Sequence, residues 1–258
     1  MIRILRTLSV TVALIALSAG PVAAQNTAPG AESFNYEGTL GPERVGMTLV
    51  VRDGKLVAPS HYFYQKHLTD IPLTGDAGAS LAMNEPGGAM LSLRFQGNGS
   101  NGSDPLTFDN SVGLAGTWTG KDGRKYPVAL DLEGGAGPTS PDERWYQSIT
   151  SESDAAFEAR VQGFYKAVMA GERTDAAKYV HFPLTVNITE KDHLRIVTPA
   201  QLDAHWDKIF TPAWLGRAEK ALPHDLAIIQ GMAMLGPGLV YFSADGVEII
   251  NSGSDLPE

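Results

Sequence analysis

From residue 34 to residue 132 the apolar positions come in short runs rich in Val, Leu, Tyr and Phe, and none sustains the 3.6-residue spacing of a helix. Val45, Met47, Leu49 and Val51 alternate, Asp53-Gly54 supplies a positive-φ turn, and Leu56 to Tyr64 returns the chain. That pattern predicts a hairpin. Lys121-Asp122-Gly123-Arg124 repeats the device between Ala115–Thr119 and Tyr126–Leu132. Leu68–Leu73, Ser80–Asn84 and Ala89–Phe95 fill the interval, so about seven or eight strands at meander spacing predict an antiparallel barrel or sandwich over residues 34–133. Tyr62, Phe63 and Tyr64 are consecutive on one strand and must face both sides of the sheet. One of those faces is therefore either covered by another element or open for binding.

Gly134-Gly135-Ala136-Gly137-Pro138-Thr139-Ser140-Pro141 offers nothing for a core, and its two prolines block regular pairing, which predicts a linker over residues 134–150. Beyond it the period becomes helical. Phe157, Val161, Phe164 and Val168 share a stripe, Ser151 with Asp154 three residues on marks a start, and Gly171 marks the end. A short helix over Asp175–Val180 leads into Phe182, Leu184, Val186 and Ile188, which alternate as a strand, with His193–Val197 as its partner. Thr198-Pro199-Ala200-Gln201 combines an N-cap, a proline in the first turn and a capping-box Gln. The helix that follows buries Leu202, Trp206, Ile209 and Phe210, and Thr211-Pro212 starts another that runs to about Ala221. Leu226–Met234, Leu239–Ser243 and Val247–Asn251 close the chain as a curved antiparallel sheet.

At the other end, Arg3 and Arg6 precede the apolar run Leu8 to Leu17, and Val22-Ala23-Ala24 has the small residues of a signal-peptidase site. Residues 1–24 are read as a signal peptide, too short in its apolar part for the roughly 20 residues of a membrane span. The expectation is a periplasmic or secreted protein beginning at Gln25. Removing Arg3 and Arg6 from 20 basic residues leaves 18 against 29 acidic, a net charge of −11. Such a chain gains nothing from counterion release on nucleic acid and is repelled by anionic lipid, so neither nucleic acid nor membrane is expected as a partner after cleavage. The absence of cysteine removes disulfides, thiolate metal sites and thiol catalysis together.

The order helix, helix, strand pair, helix, terminal meander over about residues 152–252 resembles the NTF2-like (SnoaL-like, cystatin-like) α+β cone. The likeness is carried also by His181-Phe182-Pro183-Leu184, Ile209-Phe210-Thr211-Pro212 and the Gly-rich stretch Gly231 to Phe242. It implies helices packed into the concave face of a bent sheet over residues 151–252. It leaves function open, because that cone hosts isomerases, dehydratases, small-molecule binders and association modules. The first half is similar to β domains of exported bacterial proteins.

Candidate chemistry is sparse at this level. A proton-abstracting enzyme on the cone needs a pocket carboxylate, and among Asp225, Asp245 and Glu248 only Glu248 is mid-strand, alternating outward. Tyr165 and Tyr241 are candidate donors, each also readable as an amphipathic core residue. Asp203, His205 and Asp207 do not converge, since His205 lies about 200° around the helix from either acid. His61 and His67 flank the end of a strand, His181 alternates with Phe182, and His224 follows Pro223 in a loop, so no histidine has a ligand partner readable from spacing. Gly97 to Asp104 has the oxygen-and-glycine alternation of a calcium turn without a bidentate acid, and reads equally as a hairpin tip. No Gly-x-Ser-x-Gly elbow, Ser-x-x-Lys pair or phosphate loop occurs. No cofactor and no metal site is therefore expected. Trp206, Phe210 and Trp214, with Met232 and Met234, either fill a core or line an apolar pocket beside Tyr165 and Tyr241.

The sequence thus predicts an exported two-domain protein, more readily a binder than an enzyme. It would take a small apolar ligand or an envelope protein, with pairing of two copies through the C-terminal domain. The alternative is a cofactor-free isomerase or hydrolase acting in the concavity of the cone.

Overall fold

The computed structural model describes residues 30–100, 102–133 and 137–253. The signal peptide read at residues 1–24 and the start of the linker, 134–136, lie outside the described residues.

The first unit is a closed antiparallel barrel of eight strands, and of barrel and sandwich it is the barrel that forms. β1 (Glu32–Leu40), β2 (Glu43–Arg52) and β3 (Lys55–Tyr64) pair in sequence, and the short β4 (Ile71–Pro72) lies beside β3. β5 (Thr74–Ala77), β6 (Leu81–Asn84), β7 (Met90–Gln96), β8 (Gly113–Thr119) and β9 (Lys125–Leu132) continue the meander. β9 returns to β1, which closes the ring. Asp53 and Gly54 turn β2 into β3 with φ of 51° and 70°, the left-handed pair that a two-residue hairpin requires. Val45, Met47 and Leu49 point inward with Leu81, Leu91, Leu93, Leu114 and Leu130, so side chains fill the barrel. At one end Tyr62 Oη and Trp118 Nε1 both donate to Glu85 Oε1, at 2.8 and 2.5 Å.

β2 and β3 are buried on both faces along much of their length. Tyr62 and Tyr64 pack with the barrel interior, while Phe63 points out and is covered by the second unit, where its ring meets His224 edge-on at 4.5 Å. Gln65 Nε2 spans the same junction, donating to the carbonyls of Glu219 and Ala221 at 2.9 and 2.8 Å.

The second unit is a mixed sheet with a few helices. α1 (Asp154–Ala170) is capped by Ser153, whose hydroxyl accepts from Ala156 N, and not by Ser151; it ends at left-handed Gly171. α2 (Arg173–Ala176) and a 3₁₀ turn (Ala177–Tyr179) replace the single helix expected over Asp175–Val180. β10 (Val180–Asn187) and β11 (His193–Ile196) pair antiparallel. Thr198 caps α3 (Pro199–Ala204), and Gln201 Oε1 accepts from Val197 N at 2.8 Å. The expected long helix breaks at His205, giving a separate turn, α4 (Trp206–Ile209), before α5 (Pro212–Ala218). Leu226–Met234 is not one strand: β12 (Ala227–Ile229) and β13 (Met232–Leu235) form a hairpin at Gln230-Gly231, both of positive φ. β14 (Val240–Ser243) and β15 (Gly246–Asn251) finish the meander, and β15 returns parallel to β10, giving the order β11-β10-β15-β14-β13-β12. The core lies between this sheet and α1, with Phe157, Val161, Phe164 and Val168 buried against Phe242, Leu184 and Val186. Trp145 and Tyr146, in the segment expected to be linker, are buried in that same core, Tyr146 against Phe157 at 4.4 Å. No helix among the described residues is long and apolar enough to cross a membrane.

Candidate functional site

The polar chemistry of the molecule gathers where barrel and mixed-sheet unit meet. His61 is on the outward face of β3, adjacent to Phe63 in alternation. Its strand is locally irregular, because pairing of β2 with β3 shifts register between Thr48 and Val50. The backbone groups freed there are taken by Ser60, whose hydroxyl accepts from Val50 N at 2.8 Å and lies 3.1 and 2.7 Å from the carbonyls of Val50 and Val57. Asp70 stands just before β4, which pairs with β3 at His61.

From the second unit come Glu158 on α1 and the pair His224-Asp225 in the loop between α5 and β12. Asp154, at the start of α1, accepts from the backbone of Trp145 and Tyr146 at 2.6 and 3.1 Å, which seats Tyr146 along the helix. Tyr146 Oη then donates to Glu158 Oε1 at 3.1 Å and accepts from Leu226 N at 3.0 Å. Asp225 adopts φ 52°, a left-handed conformation that Asp tolerates, and its N–H donates to Glu158 Oε1 at 3.1 Å. The loop carrying His224 and Asp225 is thus fixed at both flanks.

Five titratable side chains meet as a result. His61 Nε2 lies 2.6 Å from Asp225 Oδ2 and 3.4 Å from Asp70 Oδ1. His224 Nε2 lies 2.9 Å from Asp70 Oδ1 and 4.0 Å from Asp225 Oδ2, and its Nδ1 is 2.5 Å from Glu158 Oε2. His61 Nδ1 is 2.7 Å from the Pro59 carbonyl. Only Asp70, with 49% of its side chain exposed, is open to solvent; the other four are at 8–12%. Burial by itself lowers His224, but the carboxylates of Asp70 and Glu158 outweigh it and hold the imidazolium up to about 10. His61 is raised in the same way, burial being overcome by Asp225 and Asp70. Burial works upward on Asp70 too, yet the two histidines hold it below the usual carboxylate range.

These groups form one wall of a cleft of about 530 Å³ between the two units, whose other walls include Pro72, Pro138, Pro141 and Trp145. Two sets of three present donor atoms within 4.8 Å of one another, His61 with Asp70 and Asp225, and Glu158 with His224 and Asp225. The arrangement can hold a cation, or move a proton between imidazole and carboxylate. It contains no serine–histidine pair, since the Ser60 hydroxyl is committed to the backbone of Val50 and Val57.

The residues singled out from sequence lie elsewhere. Trp206, Phe210 and Trp214 pack in the core of the second unit, tilted and edge-on, with ring centroids 4.3 and 5.0 Å apart, and Tyr165 packs half-buried against that core. Met232 and Tyr241 are half-buried on β13 and β14, while Met234 borders a small volume that also touches His224. Asp203 and Asp207 are both held by Arg173, at 3.3 and 2.9 Å, an ion-paired surface rather than a ligand set. Sequence reasoning passed over all five cluster residues as a set, because 164 positions separate His61 from Asp225. One signal was available: strand alternation places His61 on the same face as Phe63, the face that needed a cover.

The architecture is thus an up-and-down barrel clasped to a mixed α/β sheet about a histidine–carboxylate cleft. Comparison with protein-family models, curated proteins and solved structures returned no match.

Proposed function

We propose that the chain is an exported, non-catalytic binding protein whose ligand sits in the cleft between its two units, against His61, Asp70, Glu158, His224 and Asp225. The observation that carries this reading is the convergence of five ionisable side chains, four of them largely buried, on the wall of a roomy cleft. Such a network is an expensive way to join two units that apolar packing would join as well, and its place in a cleft marks a site. Three carboxylates against two imidazoles favour a cationic ligand. Export is supported by Arg3, Arg6, the apolar run and Val22-Ala23-Ala24.

The NTF2-like reading of the second unit is supported by its element order and by the parallel return of β15 to β10. It moves the site, however, from the concavity of the cone to its junction with the barrel. An acid–base enzyme is the second reading, favoured by the short His61–Asp225 and His224–Glu158 contacts.

Native mass spectrometry of the chain expressed with its leader tests both halves of the proposal. The expected mass begins at Gln25 and carries a retained ligand that Glu158→Gln loses. A ligand that survives Glu158→Gln but is lost from Trp206→Phe would overturn the cleft as its site.

A further inference from the structure

We propose that the cleft binds a single divalent transition-metal ion through His61 Nε2, Asp70 and Asp225, with His224 as a positioning residue that holds Asp70. This inference rests on the reading of the cleft as the binding site and names what it takes.

His61 Nε2 lies 2.6 Å from Asp225 Oδ2 and 3.4 Å from Asp70 Oδ1, and donor atoms of the three residues all lie within 4.8 Å of one another. Ligands bound at about 2.0–2.1 Å in a tetrahedron stand about 3.3 Å apart. The separations within this set bracket that edge, so an ion among the three spreads the short pair and draws in the widest through movements of about 1.5 Å or less, leaving a fourth position open to the cleft.

The Pro59 carbonyl can only accept, so His61 Nδ1 must be the donor at 2.7 Å. Glu158 Oε2 fixes His224 Nδ1 in the same way at 2.5 Å. Each ring therefore turns its other nitrogen toward Asp70 and Asp225. A metal-bound histidine is held by this pairing of one nitrogen on the ion and the other on a carbonyl or carboxylate. Glu158 is in turn fixed by Tyr146 Oη and Asp225 N, which makes it a positioning residue.

An imidazole with two carboxylates suits zinc, cobalt or a similar borderline ion better than calcium or magnesium, which prefer oxygen alone. Two carboxylate charges balance the ion, and Asp70 lies on the open side, where an ion enters.

The test uses the full mature chain, dialysed against EDTA and titrated calorimetrically with zinc(II) and with cobalt(II). One ion per chain is expected. His61→Ala should weaken binding at least 100-fold, His224→Ala and Glu158→Gln by about 10–100-fold as outer-shell changes do, and His193→Ala, at an exposed position of β11, not at all. Wild-type protein supplies an arm independent of variant folding: of the six histidines, two imidazoles should shift in NMR on addition of zinc(II), with four-coordinate cobalt(II) absorption in parallel. Zinc(II) that fails to bind, or that shifts exposed and cleft histidines alike, overturns the metal. If an organic ligand is then still lost from Glu158→Gln, the cleft stands as the binding site without a metal; if none is retained, both readings fall.

Discussion

Ser60 shows how a small residue places a large one. Its hydroxyl satisfies the Val50 N–H at the irregularity in β2 and β3, and His61 is the next residue along. Ser60→Ala leaves that buried N–H unpaired, so it should cost about 1–3 kcal/mol in urea unfolding, and weaken ligand retention because His61 is no longer held in register. A second residue-scale prediction concerns Glu37 on β1. Burial first, and then the charge of Glu133, push its carboxyl from 4.5 up to about 7 against the pull of Arg44. A folded-state value above the unfolded one means the stabilisation is complete below pH 4.5 and lost as pH rises through 7. Glu37→Gln, neutral throughout, should flatten stability between pH 5 and 8. At pH 8 it should be more stable than wild type by about 2–3 kcal/mol, read from urea midpoints at the two pH values. A midpoint that falls equally with pH in both proteins contradicts this.

Local elements were legible where their signals are local. The Asp53-Gly54 hairpin, the Thr198 cap with Pro199 and Gln201, and the close of α1 at Gly171 all stand where turn and cap chemistry put them. The misreadings also have local causes. Leu226–Met234 is apolar enough to look continuous, and Gln230-Gly231 gives too weak a turn signal to reveal the hairpin. The helix expected from the Thr198 cap through Leu202 to Phe210 keeps its buried stripe but breaks at His205. In the resulting cluster Trp206 and Trp214 are both buried, at 6% and 2% exposure. Trp206→Ala and Trp214→Ala should each cost about 3–5 kcal/mol, measured by denaturant midpoint. A loss near 1 kcal/mol at either would mean that its ring borders open space.

Between the two units, Gly46 on β2 faces Phe63, and a Cβ there would stand 2.4 Å from Phe63 Cζ and 3.1 Å from Leu222 Cδ1. The close approach of barrel to second unit therefore depends on a missing side chain. Gly46→Val should force the junction apart at a cost of about 1–3 kcal/mol, split one thermal transition into two and expose the chain around residues 137–144 to protease. A single unshifted transition would show that the junction adjusts. This scale was the least legible. Each unit follows from periodicity, but the cluster depends on a strand, a helix and two loops distant in sequence meeting across a junction, for which no spacing rule exists. The covered face of Tyr62-Phe63-Tyr64 was the one sequence feature that pointed to it.

The central claim is that the functional site is the cleft between the two units and not the interior of the second. The decisive experiment is diffraction from crystals of the protein expressed from its full sequence and purified without chelator. Non-water electron density is expected in contact with His61, His224 and Asp225. Density beside Trp206 and Phe210, over a cleft holding only water, would contradict it.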